Sequence, residues 1–266
     1  MKISSLQNPK IKSAVKLRKR NERDSSKLFI IEGYTELMRA NLVNVEIIEL
    51  FLCPDLFLKK MDKKQIEKIN CDNTFFCSKS VFEKISYRDC PDGFFAIAKQ
   101  KRLDMSFLEK EIDNFKNPFF LVAESIEKPG NLGSILRSCD GAAVDAMIVC
   151  DACTDVFNPN VVRASIGTLF TQPVIETSTE KLVSFLKKEK IKIVSATPHT
   201  NEVYTDSDLT GPVAIVVGTE HCGLSEKWMN LCDIKIKIPM LGIADSLNVS
   251  SSATLLLYEV LRQRNA

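Results

Sequence analysis

Three short groups of polar residues follow apolar runs in the second half of the chain. They are Asn131-Leu-Gly-Ser-Ile-Leu-Arg137, Gly218-Thr-Glu220 and Ser246-Leu-Asn248, and together they offer a cation, a carboxylate, amides and hydroxyls. Polar groups retained beside strongly apolar segments need hydrogen-bonding partners when they are buried. We therefore expect these groups, although far apart in sequence, to meet in a single binding or catalytic cleft.

Several common catalytic motifs are missing around these groups. The crossover from Lys128 to Ser134 contains neither G-x-G-x-x-G nor a Walker P-loop, so a dinucleotide-binding Rossmann loop is not supported. The chain also lacks G-x-S-x-G and H-E-x-x-H. Its two histidines, His199 and His221, make histidine acid–base catalysis an unexpected mechanism.

Cysteine usage predicts a reduced, cytoplasmic protein. The nine cysteines are odd in number and irregular in spacing, which argues against a secreted disulfide framework. Cys150-Asp-Ala-Cys153 has the form C-x-x-C, but no second pair stands at zinc-binding spacing, so we expect no metal. The N-terminus has no apolar run typical of a signal peptide, and no run of about 18 apolar residues predicts a membrane span.

The elements that must position the polar groups are predicted from apolar runs in the second half. These runs are nearly continuous, which is typical of a parallel sheet covered on both faces. Strands are predicted at Phe119–Glu124, Ala146–Cys150, Pro173–Ile175, Ile191–Ala196, Val213–Gly218 and Ile234–Ile238. Helices are predicted at Leu132–Ala142, Val161–Phe170, Thr179–Glu189, Glu226–Leu231 and Val249–Arg264.

The segments that follow the predicted strands are expected to share one edge of this sheet. They are Glu124–Arg137, Thr197–Asn201, Gly218–Leu224 and Pro239–Asn248. Ligands of open α/β sheets bind beyond the carboxyl ends of the strands. The sequence therefore places the three polar groups at a ligand-binding edge.

The first half predicts a separate, smaller α/β domain with a basic N-terminal helix. Pro9–Arg20 is expected to be helical, with Ile11, Val15 and Leu17 on its apolar side. Strands at Leu28–Glu32, Ile47–Cys53, Thr74–Cys77 and Phe94–Ala98 alternate with helices at Tyr34–Leu42, Lys59–Ile69 and Lys79–Lys84. The basic residues available to bind the phosphates of a polyanion are Lys10, Lys12, Lys16, Arg18, Lys19 and Arg20.

Charge is divided unevenly between the halves. Residues 1–105 carry 21 Lys and Arg against 14 Asp and Glu, whereas residues 106–266 carry 15 against 20. A basic front half suits a polyanionic partner, although clustering on solvated faces is the alternative. We predict a polyanion-binding domain at 1–105, a linker at 106–117 and a second α/β domain at 118–266.

The motifs resemble those of the SpoU/TrmH branch of SPOUT RNA 2′-O-methyltransferases. The resemblance covers residues 118–266, and residues 1–100 are similar to the ribosomal-protein-like RNA-binding domain of many members. Thr219, His221 and Ala143 stand where members often have Asn, Gly and Gly. The matching segments are Asn131-x-Gly-x-x-x-Arg137, Asn158–Gly167, Gly218-x-Glu220-x-x-Gly-Leu-Ser225 and Ile238-Pro-Met-x-Gly-x-x-x-Ser246-Leu-Asn248-Val-Ser250.

The resemblance implies S-adenosylmethionine as cofactor, a trefoil knot at the carboxyl end and a homodimer built with the closing helix. It implies a catalytic role for Arg137 in activating the ribose hydroxyl, as a phosphate or alkoxide ligand rather than a literal base. Other catalytic residues implied are Asn131, Glu220, Ser246 and Asn248. Cofactor-binding residues implied are Thr197, Gly218, Glu220, Ile238, Met240 and Leu247.

Alternatives are left open at several positions. Glu220 and Asn131 are each weighed against roles at helix N-termini, Met240 and Leu247 against core packing, and Arg163 against a structural salt bridge. The favoured substrate is ribosomal RNA, with transfer RNA as an alternative. A non-catalytic RNA-binding or assembly factor and a Rossmann-type small-molecule enzyme are the competing functions. The nucleotide modified, and a housekeeping or antibiotic-resistance role, are undecided by the sequence.

Overall fold

A computed structural model of the chain describes residues 2–58, 66, 68–219 and 222–266. The predicted helix Lys59–Ile69 lies largely outside the described residues, as do Glu220 and His221. The strands are β1 Lys2–Ile3, β2 Leu28–Glu32, β3 Ile47–Leu52, β4 Thr74–Cys77, β5 Phe94–Lys99, β6 Phe119–Glu124, β7 Ala146–Cys150, β8 Val174–Thr177, β9 Lys192–Ala196, β10 Val213–Val217 and β11 Ile234–Ile236.

The α-helices range from two to four turns, apart from single-turn pieces, and short 3₁₀ turns lie at Pro54–Leu56 and Ile112–Asn114. None of the helices in the described part of the chain is long and apolar enough to cross a membrane. They are α1 Pro9–Lys16, α2 Arg20–Ser26, α3 Tyr34–Leu42, α4 Lys79–Ile85, α5 Met105–Glu111, α6 Pro129–Gly141, α7 Pro159–Ala164, α8 Thr168–Thr171, α9 Thr179–Lys188, α10 Glu226–Leu231 and α11 Val249–Arg264.

The chain divides into two compact units. The first contains residues 1–101 together with 155–171, and the second contains residues 102–154 together with 172–266. The chain therefore leaves the second unit after β7, contributes α7 and α8 to the first, and returns at β8. The predicted functional boundaries at 105 and 117 stay predictions.

The second unit is built on a parallel sheet, as its apolar runs predict. The strand order is β11-β9-β10-β6-β7-β8, and each neighbouring pair is parallel. Both faces of β6, β7 and β10 are buried, because their residues are apolar nearly throughout. From β6 the chain passes to β7, on one side of the β10–β6 pair in the strand order. From β10 it passes to β11, on the other side of that pair. The switch point therefore lies between β6 and β10, where open α/β sheets bind ligands.

The segment predicted as a linker packs into the core of the second unit. Leu108 of α5 is fully buried, and Phe107, Ile112 and Phe115 pack beside it. The Asp104 side chain accepts a hydrogen bond from the backbone N–H of Ser106 at 3.0 Å, so α5 begins with a capping residue. The apolar side chains of this segment therefore hold residues 105–115 against the core of the second unit.

The first unit has a mixed sheet of order β1-β4-β3-β5-β2. Strands β1 and β3 run parallel to β4, whereas β5 pairs antiparallel with β2 and β3. On one face, Ile11 and Ala14 of α1 join Phe51, Phe82 and further buried residues in a single core cluster. Strand β1 is only two residues long, too short for the sequence pattern to indicate it.

The predicted helix Pro9–Arg20 is wrong in one respect, because α1 ends at Lys16 and α2 begins at Arg20. Asn8 caps α1 through a hydrogen bond from the backbone N–H of Lys10 at 2.9 Å. The break lets Leu17 turn inward, where it is 5% exposed. Val15, predicted on the apolar side, is only half-buried.

The predicted helix Val161–Phe170 is also broken, into α7 and α8. Ile166 has a φ of 52° and Gly167 a φ of 79°, so the backbone between the two helices is left-handed. A Cβ on Gly167 would lie 3.1 Å from Glu36 Cα, which is tighter than ordinary contact. Arg39 holds the same turn by donating to the Ile166 carbonyl at 2.5 Å.

Buried thiols contribute to both units as small apolar side chains. Burial raises the pKa of Cys77 to about 11 and that of Cys150 to about 12, and it raises the pKa of Cys139 further. These side chains stay protonated at neutral pH and are inert. Cys153, the other half of the C-x-x-C segment, is exposed.

Candidate active site

The first and third polar groups meet at the carboxyl edge of the second unit's sheet. Asn248 Nδ2 donates to Asn131 Oδ1 at 3.3 Å, although the residues are 117 positions apart. Asn131 lies in the first turn of α6, after β6, and Asn248 immediately precedes α11. The predicted convergence of these segments is therefore present in the structure.

Asn248 both caps the start of α11 and contacts Asn131. Its Oδ1 accepts hydrogen bonds from the backbone N–H of Ser250 at 3.0 Å and from Ser250 Oγ at 2.6 Å. It thereby satisfies one of the four free N–H groups at the helix N-terminus. Because the cap fixes its Oδ1, its Nδ2 group is held in place for Asn131.

Helix α6 begins at Pro129, three residues before the predicted start. Asn131 therefore lies inside the first turn and is not the N-cap, a position that Lys128 occupies. Pro suits the first helical position because its missing N–H would have no partner there. One and two turns further on, the helix packs against α11, where Ser138 Oγ and Thr254 Oγ1 are 2.7 Å apart.

Arg137 lies on the exposed side of α6 and makes no hydrogen bond or ion pair with another residue that the structure describes. Ser246 is likewise exposed in the loop before α11, and within the described chain it makes no hydrogen bond. The structure does not link either residue to the Asn131–Asn248 pair.

The loop after β10 is tightly folded around Gly218. A Cβ there would lie 2.3 Å from the carbonyl oxygen of Gly223, so a larger residue would force the backbone apart. Thr219 and Gly223 exchange backbone hydrogen bonds of 3.0 and 3.1 Å. Thr219 Oγ1 accepts from the Cys222 N–H at 3.0 Å, so the threonine side chain contributes to this turn.

Glu124 is a polar residue of this edge to which the sequence interpretation assigned no role. It ends β6, is 5% exposed, and accepts a hydrogen bond from the backbone N–H of Ser225 at 2.9 Å. Since Ser225 precedes α10, the carboxylate ties the end of β6 to the segment after β10. An acid ending an otherwise apolar strand was the available signal.

Three of the predicted cofactor residues, Thr197, Gly218 and Ile238, follow the carboxyl ends of β9, β10 and β11, which are neighbours in the sheet. Thr197 is buried after β9, and its backbone N–H donates to Ile236 at the end of β11. Ile238 and Met240 are half-buried, and Leu247 is 37% exposed. Thr197 Oγ1 accepts from the His199 N–H at 3.2 Å, so its hydroxyl is used in shaping the loop.

The segment from Ile238 to Leu247 carries backbone N–H groups that donate to no other residue of the described chain. Apolar side chains with unpaired backbone groups suit the faces and edges of a nucleoside. The residues present therefore fit the adenosyl group of S-adenosylmethionine.

Three of the N-terminal basic residues contact other groups of the first unit. Lys10 pairs with Glu49 and lies over the Phe75 ring, and Arg20 pairs with Asp24 at 3.5 Å. Arg18 donates to two backbone carbonyls. The remaining predicted RNA-binding residues are exposed: Lys12, Lys16 and Lys19.

With the geometry established, comparison with known proteins gives two family matches. Residues 118–258 match the SpoU rRNA Methylase family, and residues 8–96 match an MRM3-like substrate binding domain. The chain belongs to the SpoU rRNA methylase family. The predicted family, parallel α/β fold and methyltransferase class are thereby confirmed.

Relatives of this SpoU methylase match it over its whole length or over its second half. A solved RNA 2′-O ribose methyltransferase is 35% identical, with a TM-score of 0.84 and full coverage of both chains. The 23S rRNA (guanosine(2553)-2′-O)-methyltransferase RlmP of Bacillus subtilis is 26% identical over 97% of this chain and 98% of its own. The 23S rRNA (uridine(2479)-2′-O)-methyltransferase of Streptomyces viridochromogenes is 38% identical, but the match spans only 51% of this chain and 50% of that relative.

Proposed function

We propose that this SpoU methylase transfers the methyl group of S-adenosylmethionine to a ribose 2′-hydroxyl of ribosomal RNA. The observation that carries the proposal is the Asn131–Asn248 hydrogen bond, which joins two of the family's motifs at the switch point of the sheet. The names of the relatives favour ribosomal over transfer RNA as the substrate. The cofactor supplies an activated methyl group on a sulfonium centre.

The chain's own residues would position the hydroxyl and relieve it of its proton. Asn131 and Asn248 orient the ribose, Arg137 or the cofactor carboxylate, and Ser246 shapes its turn and offers its hydroxyl as a hydrogen-bond donor. Arg137 remains cationic, because guanidinium resists deprotonation in proteins, and it holds a phosphate or the developing 2′-alkoxide. As the bond between the oxygen and the methyl carbon forms, the carbon–sulfur bond breaks, and the hydroxyl proton passes to phosphate or water.

In this proposal Glu220 holds Arg137 or anchors its own loop. Thr197, Gly218 and Glu220 shape the cofactor pocket, and apolar contact comes from Ile238, Met240 and Leu247. Residues 1–105 present the RNA, with the exposed lysines of α1 as phosphate contacts. The trefoil knot, the segment 106–117 as a linker and a cytoplasmic location belong to the same proposal.

Exposed apolar residues on the second unit support the homodimer included in this proposal. Leu241 and Ile243 are fully exposed, at 99% and 103%, and Leu255 and Tyr258 of α11 are 41% and 47% exposed. Covering this surface with a second copy would remove it from water. Light scattering of the purified chain should give twice the monomer mass, and Leu255→Lys should give the monomer.

A methyl-transfer assay tests the activity itself. Ribosomal RNA from a strain lacking the gene is incubated with tritiated S-adenosylmethionine, and the product is mapped by primer extension at low nucleotide concentration. We expect a single 2′-O-methyl stop with the native chain and none with Arg137→Ala or Asn131→Ala. Asn230→Ala is the matched control, because Asn230 is exposed and makes no hydrogen bond with a described residue. Full activity in both site variants would reject the assigned site.

A further inference from the structure

We propose that Tyr87 and the arginines around it form a docking site for one unpaired nucleotide of the RNA substrate. This Tyr87 surface consists of Arg18, Tyr87, Arg88, Asn160 and Arg163, all within the first unit. The inference rests on the proposed function and names a contact that selects the RNA. It differs from the predicted basic helix, because its centre is an aromatic ring.

The Tyr87 ring is exposed but held at both ends. It is 40% exposed, and its backbone N–H donates to Glu32 Oε2 at 2.8 Å. Asn160 Nδ2 donates to the Tyr87 hydroxyl at 3.2 Å. Glu32 is itself buried and accepts a hydrogen bond from Ser86 Oγ at 2.5 Å. A ring fixed in this way stacks on a nucleobase with little further loss of conformational freedom.

Two cations near the ring, Arg18 and Arg163, make no ion pair within the described chain. The Arg18 guanidinium carbon lies 6.0 Å from the Tyr87 ring centre, and this group donates to the carbonyls of Lys84 and Ser86 at 2.9 and 2.6 Å. Carbonyls hold the group without cancelling its charge. Arg163 is exposed and makes no ion pair within the described chain.

Arg88 contributes shape rather than free charge. It pairs with Glu36 and donates to the Glu32 carbonyl at 2.8 Å. Together with Tyr87 and Arg163 it lines a small cleft. An aromatic ring interleaved with cations is the pattern by which proteins hold single-stranded nucleic acid.

The surroundings favour one splayed nucleotide over a continuous duplex. Asp89 follows Arg88 and is exposed, so a run of phosphates across this surface would meet a like charge. A single nucleotide needs only a base on Tyr87 and a phosphate near Arg18 or Arg163. Unstacked bases in loops and bulges are the elements by which RNA is read in sequence.

The test measures binding of the full chain to a fluorescently labelled 20-nucleotide single-stranded RNA of mixed sequence, over a series of salt concentrations. We expect Tyr87→Leu to weaken binding roughly ten-fold at every salt concentration, because stacking is lost and charge is not. Tyr87→Phe keeps the ring and should bind within about two-fold of the native chain.

Arg163 is tested by the salt dependence rather than by affinity alone. Arg163→Gln should reduce the slope of log affinity against log salt by about 0.7, as expected for one lost phosphate contact on a single strand. Arg163→Lys should restore the slope. Lys110→Gln is the control, since its exposed ammonium lies in the second unit.

Two outcomes overturn the proposal. One is unchanged RNA affinity in both Tyr87→Leu and Arg163→Gln, which would leave this surface for an acidic protein segment. The other is an equal loss in Tyr87→Phe and Tyr87→Leu, which would assign Tyr87 to the fold through its hydroxyl. Circular dichroism verifies that each variant is folded. If the native chain transferred no methyl group, the proposed function would be wrong, but these binding results would be unchanged.

Discussion

The two units differ in how their arginines are used. In the first unit, the Arg23 guanidinium is buried against the Asp155 carboxylate: the two side chains are 1% and 2% exposed, with Nε and Oδ2 2.7 Å apart. In the second unit, the main core cluster is apolar, and Arg137, the arginine assigned to chemistry, is exposed on α6. The basic composition of the front half therefore overstates the charge that it can offer to RNA.

The internal use of charge in the first unit is repeated at Glu36. This side chain is 5% exposed and pairs with Arg88. Burial raises the pKa of the Glu36 carboxyl, and Arg88 only partly offsets that effect. Such groups specify the fold, whereas exposed ones such as Lys12 remain available for ligands.

The largest expected effect is on stability, in the first unit. Arg23→Leu takes the cation away from the buried Asp155 carboxylate and removes two hydrogen bonds to the carbonyls of Leu17 and Arg18. We expect the free energy of unfolding to fall by about 3–5 kcal/mol. Urea unfolding followed by circular dichroism measures the loss.

The matched control is Arg20→Leu, which breaks an exposed pair with Asp24 and should cost under about 0.5 kcal/mol. Trp228, the single tryptophan, is buried in the second unit and reports that unit alone. If its fluorescence transition moves together with the circular dichroism transition, the units unfold as one. An equal effect of the two variants would contradict the comparison.

The second effect is on activity, in the second unit. Arg137→Gln removes a cation that no described residue holds, so the free energy of unfolding should stay within about 0.5 kcal/mol of the native value. The methyl-transfer rate should fall by about a hundred- to a thousand-fold, because charge stabilisation of the oxyanion is lost. Parallel rate and denaturation measurements check this separation. A variant that lost stability and kept its rate would reverse the roles of the units.

The third effect combines stability and cofactor binding. Gly218→Ala places a methyl group 2.3 Å from the Gly223 carbonyl oxygen, and the loop must shift. We expect a loss of about 1–3 kcal/mol in the free energy of unfolding. Calorimetry should also show weaker binding of S-adenosylmethionine. Gly211→Ala is the control, because a Cβ there meets nothing within 4 Å.

The smallest expected effect is on stability, at the carboxyl end of α6. Ala143 has a φ of 53°, and the backbone N–H of Val144 donates to the Cys139 carbonyl at 2.9 Å, which closes the helix end. Glycine adopts this conformation without strain, so Ala143→Gly should stabilise the chain by about 0.5 kcal/mol. Thermal unfolding measures the gain. Ala142→Gly, at a φ of −95°, should destabilise instead.

The sequence predicts the parallel sheet and its functional edge well, because burial on both faces leaves a plain signature. The bounds of β6, β7, α10 and α11 agree with prediction at every residue. The sequence pattern predicts the start of α6 three residues too late, because Pro129 and Gly130 are residue types typical of loops. Proline suits the first helical turn, and Asn131 thereby moves into the helix.

Interactions between distant residues could not be predicted from local pattern. Nothing near Arg23 indicates a buried partner 132 positions away, nor does the sequence around Val161–Phe170 reveal the left-handed turn at Ile166. The carboxylate of Glu124 was visible as a polar end to an apolar strand. Its link to Ser225 depends on the order of strands, which periodicity does not determine.

The assignment of α7 and α8 to the first unit has a consequence for synthesis. A ribosome makes residues 1–101 first, yet the unit lacks its Asp155 and two of its helices until residue 171 has emerged. Until Asp155 has emerged, Arg23 lacks this ionic partner. Until α7 and α8 have emerged, part of the sheet of the first unit stays uncovered. By that time β6 and β7 are also outside the tunnel, so the halves must mature concurrently rather than one after the other.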